Sequence, residues 1–134
     1  MPDLNLMPQI DAYLQARATL YAPVAYDAFA GDSTEELMVR HDPSPALTKR
    51  YLDGSWWGAF NFSFYAKSHD MDKARAQLEA IAVVLEIETF ANLFGVSEGR
   101  LALVTRPVLV DQDKSGVTIQ TSSYRLVFFK EVAS

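Results

Sequence analysis

The chain has 134 residues, 49% of them hydrophobic, and a net charge of −5. That is one domain's worth of sequence with enough apolar content for a real core, which excludes a disordered chain. The acidic balance argues against a protein that wraps nucleic acid with a basic face, and the lack of cysteine excludes a disulfide framework and thiol chemistry.

The opening MPDLNLMPQID has an acidic residue and two prolines and no basic stretch before an apolar run, so no secretory leader is expected. No window approaches the roughly 20 apolar residues of a membrane span. Residues 5–21 predict a helix, capped by Asn5, with Pro8 in the first turn and Met7, Ile10, Leu14, Ala18 and Tyr21 on one face. Pro23 ends it, and 22–34 reads as an irregular loop. ELMVRH at 36–41 predicts a short strand, followed by turn chemistry in DPSP. LTKRYL at 47–52 predicts another strand, closed by the Asp53-Gly54 turn. A strand from 56 to 67 follows, then a helix over 70–88 capped by Ser68 or Asp70, with Ala74, Leu78, Ile81, Ala82 and Leu85 as its apolar stripe. ETFANLFGVSEG fits no regular element. RLALVTRPVLV and GVTIQTSSYRLVFF are two long strands joined by DQDKS.

This order predicts a single α+β domain spanning 1–134, a mostly antiparallel sheet with two main helices packed on one face. Side chains alternate along a strand. Even positions of the aromatic strand carry Trp56, Phe60, Phe62 and Phe64, the natural core face. Odd positions carry Trp57, Ala59, Asn61, Ser63 and Tyr65. The last strands also have apolar residues on both faces: Leu101 and Leu103 oppose Ala102, Val104, Val108 and Val110, and Leu126 and Phe128 oppose Val127 and Phe129. Two short helices cannot cover both faces. Either another chain meets the second face, or the loop at 22–34 and the segment at 89–99 cover it.

Motifs for catalysis fail. His41 and His69 stand in no metal or nucleophile arrangement, and adjacent residues such as Ser68-His69-Asp70 do not aim at one another as a triad does. Asp111-Gln112-Asp113-Lys114-Ser115-Gly116 matches the first half of a calcium loop, but position twelve is Ser122, where a glutamate is needed, and the flanks are strand-like. A hairpin turn explains the same residues. No enzyme activity, cofactor or metal is expected.

The run Lys49-Arg50-Tyr51-Leu52-Asp53-Gly54-Ser55 resembles that of the tail-terminator proteins of long-tailed bacteriophages, often labelled minor capsid proteins. The order around it is similar too: an N-terminal helix and short strand before it, then an aromatic strand, a helix opening at Ser68-His69-Asp70, and two final strands meeting at Asp111 to Gly116. Trp56-Trp57 and the segment 89–99 depart from the pattern. The resemblance implies a virion protein, made in the host cytoplasm, that forms a ring, usually of six subunits. The ring caps the tail tube, stops its polymerisation and joins the tail to the filled head. Its implied partners are further copies of itself, the tail tube protein and a head-completion or connector protein. DNA would pass through the lumen without specific binding, and no membrane is involved. The candidate subunit contacts are Trp56, Trp57, Tyr65, Tyr124 and Phe129. Two alternatives are a head–tail connector protein and a small-ligand-binding α+β domain.

Overall fold

A computed structural model describes residues 6–31, 33–44 and 49–131. In chain order the elements are α1 (Leu6–Gln15), β1 (Val24–Tyr26), β2 (Glu36–His41), β3 (Lys49–Arg50), β4 (Trp56–Ser68), α2 (Met71–Leu85), β5 (Ile87–Leu93), β6 (Val96–Gln112) and β7 (Thr118–Lys130). The seven strands of the described residues form one sheet, in the order β1-β2-β4-β7-β6-β5. β3 pairs with the start of β4. Every pairing is antiparallel except that of β1 with β2, so the domain is α+β with a mostly antiparallel sheet.

β4 and β7 form the sheet's spine. They pair without a break from Trp56 opposite Lys130 to Ser68 opposite Thr118. Their even-numbered residues share one face, and Phe62, Phe64, Ala66, Tyr124, Leu126 and Phe128 are buried there. Phe62 stacks on Tyr124, with centroids 5.4 Å apart and planes 16° apart. Desolvation by burial pushes the Tyr124 hydroxyl up to about 12.

Helix α2 covers this face because its stripe matches it. Ala74, Leu78, Ile81, Ala82 and Leu85 are all buried. Asp70 caps the helix, its carboxylate accepting from the Asp72 and Lys73 amides at 3.0 and 3.2 Å. The helix stops at Leu85, three residues short of the expected Glu88, because Ile87 already belongs to β5. From α1, Ile10 and Leu14 join the same core cluster.

Four expectations are corrected. The first helix is shorter than 5–21, ending at Gln15; the expected Asn5 cap lies outside the described residues. Past the helix, the buried Gln77 side chain accepts from the Tyr21 amide at 2.8 Å and donates to the Thr19 carbonyl at 3.2 Å, holding 19–21 in a non-helical path. The loop at 22–34 contains β1, a three-residue strand parallel to β2. The segment expected to be irregular, 89–99, is a hairpin of β5 and β6 turned by Phe94 (φ 57°) and Gly95 (φ 77°). A phenylalanine is unusual at positive φ. Here its ring is buried edge-on against Tyr13 and Phe90, each 5.4 Å away. Of the strand expected at 47–52, Lys49–Arg50 is a strand, Tyr51 and Leu52 are not, and Leu47 and Thr48 lie outside the described residues.

Candidate functional site

The odd-numbered face of β4 and β7 is chemically divided along its length. Its middle is polar. Ser63 donates to Asp42 and lies 2.9 Å from Ser123 Oγ, while Arg125 donates to Asn61 Oδ1 at 3.0 Å. Toward the β2 side, Glu36 forms an ion pair with Lys67, directly across the strands. The loop after β1 closes over that pair. The Phe29 ring lies 5.0 Å from the Lys67 ammonium, and the Gly31 amide donates to Glu36 at 2.7 Å. This loop therefore covers one side of the face only. The segment 89–99 widens the sheet at its other edge.

At the β3 end the face turns aromatic. The Asp53-Gly54 turn sets the entry: Asp53 Oδ1 accepts from the Ser55 amide at 3.0 Å, and Gly54 holds φ at 92°. This brings Tyr51 to 6.0 Å from Phe129, which in turn lies 5.3 Å from Trp57. Lys49 sits over the Tyr51 ring at 5.2 Å. Two adjoining shallow cavities, about 660 and 400 Å³, flank these rings, and both are lined by Trp57 and Glu98. Phe129, Tyr51 and Leu52 line the first; Phe90, Val127 and Arg100 line the second. We call the pair the Trp57 groove. Leu52, at the tip of the turn, is fully exposed.

A second apolar surface stands toward the opposite end of β6. β5 follows β6 only as far as Leu101, so the outer edge of β6 beyond that point pairs with no strand among the described residues. Val104, Val108 and Val110 are 63, 45 and 51% exposed there, with Arg106 exposed between them. The edge is irregular. Its register against β7 shifts three times, and Pro107 removes a donor. Bulges and proline are the features that keep an edge from adding another strand.

Of the expected subunit contacts, Trp57, Tyr65 and Phe129 are half-buried on the odd face. Tyr65 carries the Arg40 guanidinium over its ring at 5.0 Å. Trp56 and Tyr124 are corrected. They are 4 and 1% exposed, inside the core, because both fall on the even face under α2. Glu98 and Phe90 were not anticipated as surface residues of interest. Both lie in the segment that shows no periodicity; the β6–β7 and β4–β7 registers set Glu98 beside Trp57, and the β5–β6 pairing adds Phe90.

The candidate chemical motifs have structural uses. Ser68 accepts from the Asp70 amide at 3.0 Å and lies 3.3 Å from Glu35, Asp70 caps α2, and His69 is exposed. At the 111–116 turn, Asp113 Oδ1 accepts from the Ser115 and Val117 amides, each at 2.9 Å, and from the Ser115 hydroxyl at 2.7 Å. Its carboxylate organises a hairpin. His41 Nε2 lies 3.4 Å from Ser44 Oγ, but that hydroxyl donates to the Asp42 carbonyl at 3.0 Å, and the Asp42 carboxylate faces Ser63 and Arg40. That is no relay to a nucleophile. Among the described residues no group of three or more metal-ligating side chains gathers. Comparison with known proteins finds no matching family model and no matching curated protein.

Proposed function

We propose that the chain is a structural virion protein that closes into a ring, caps the tube of a long phage tail, and offers the surface to which the head joins. The observation that carries this reading is the pair of apolar surfaces toward opposite ends of one sheet, the Trp57 groove and the exposed valines of β6. A ring is a heterologous contact repeated until it closes, so each subunit must present two different patches. In this reading both helices gather on the even face and leave the odd face to neighbours. Six copies, as in the family the sequence resembles, would close the ring.

The charge balance agrees with such a role. DNA moving through the lumen is repelled by an acidic wall, by the same electrostatics that draws it to basic proteins. The ligand-binding alternative would use the same groove, where Asp53 and Ser55 bond each other at the margin and Glu98 and Arg100 line the cavities. A connector at the same head–tail junction uses the same surfaces, and tail length separates the two roles. Phage lacking this protein should make tails of uncontrolled length that fail to join heads, with wild-type protein supplied in trans restoring both. Tails of normal length without the protein would rule out a terminator.

A further inference from the structure

We infer that the ring contact seats the Val104–Val110 stripe of one copy in the Trp57 groove of the next. This rests on the ring reading above and names its interface. The two surfaces match in kind and charge. The stripe exposes Val104, Val108, Leu109 and Val110 around one cation, Arg106. The groove is walled by Trp57, Phe129 and Val127; Glu98 lines both of its cavities, with Asp53 in the first and Arg100 in the second. Neither Arg106 nor Glu98 enters an ion pair within its own chain among the described residues. Opposite charges set into complementary apolar surfaces fix orientation as much as affinity.

Geometry excludes closure within one copy. Glu98 pairs opposite Phe129 and Val108 opposite Thr121. The two levels are eight residues apart along β7 (129 minus 121), roughly 27 Å at about 3.4 Å per residue. Stripe and groove also differ from each other, so a contact between them runs head to tail and propagates, which a two-fold dimer does not. The interrupted register and Pro107 direct the contact to side chains and not to an added strand. An interface of standard size takes roughly 800 Å² from each partner, near a tenth of this chain's 7558 Å² surface. Two such contacts leave most of each subunit free for tube and head.

The chain contains no cysteine, which makes a cross-linking test clean. Full-length Glu98→Cys and Arg106→Cys proteins are mixed and treated with a short bismaleimide. A covalent dimer should form in the mixture and in neither protein alone, and the doubly substituted chain should give a ladder of higher species. In parallel, Glu98→Arg and Arg106→Glu should each weaken self-association about tenfold, and the double reversal should restore it. Dimers from either single variant alone would point to a two-fold contact and overturn the inference. Absence of a dimer in the mixture would overturn it as well. Native mass spectrometry of the unaltered protein separates the two failures: a closed ring without the cross-link keeps the ring and discards this contact.

Discussion

Asp53 and Asp113 perform one task at two turns. Each begins an Asp-x-Ser turn, accepts from the serine two residues on, and is accompanied by a glycine at positive φ, Gly54 or Gly116. In both, the serine hydroxyl bond is the first cause that holds the carboxyl below its usual range. A carboxyl whose folded value is depressed adds stability that is present above the unfolded value, near about pH 4. That stability is lost as pH falls through the folded value. The variant carrying Asp53→Ala and Asp113→Ala should therefore melt lower at pH 7 and lose less of its remaining stability between about pH 4 and pH 2. Urea midpoints across that range check this, and a parallel decline in variant and wild type would mean that neither carboxylate senses the fold.

At the scale of elements, the β5–β6 hairpin depends on one glycine. A Cβ on Gly99 would collide with the Val127 carbonyl and lie 2.8 Å from the Phe90 ring. Gly99→Ala should cost about 1–3 kcal/mol by overpacking and should loosen β5 before the rest of the sheet. Hydrogen exchange should show early loss of protection over 87–101; unchanged protection and midpoint would contradict the close packing. This hairpin also marks where sequence stopped being legible. Helix α2 was readable because Ala74, Leu78, Ile81 and Leu85 repeat at helical spacing and a carboxylate stands at the cap. β4 was readable because its rings alternate with small polar residues. ETFANLF has no such period: Phe90 and Leu93 are half-buried at a sheet edge, and Phe94 turns the chain in a conformation that favours glycine. β1 is three residues held by a parallel partner, a pairing that local sequence does not encode. Parity assigned Trp56 to the core, yet it also stood among the candidate subunit contacts. Identifying which rings stay at the surface took the β4–β7 register.

For the whole molecule, the question is whether folding and assembly use separate residues, and the two adjacent tryptophans separate them. Trp56 is 4% exposed, edge-on to Phe128 at 5.2 Å, with its ring over Gly58. Trp57 points to the other face and lines the groove beside Phe129. A charge at Trp56 is buried without a partner and removes a large aromatic from the core, so Trp56→Glu should prevent folding or cost more than about 3 kcal/mol. A charge at Trp57 remains in contact with water in the free subunit. Trp57→Glu should therefore leave the circular dichroism spectrum intact and lower the melting temperature only slightly. In the ring the same charge would lie against the apolar stripe of a neighbour. It should abolish cross-linking between subunits and give unjoined tails when it is the only copy supplied to a phage. If Trp57→Glu folds and still yields infectious particles with tails of normal length, the groove lies outside the assembly surface, whatever the ring is made of.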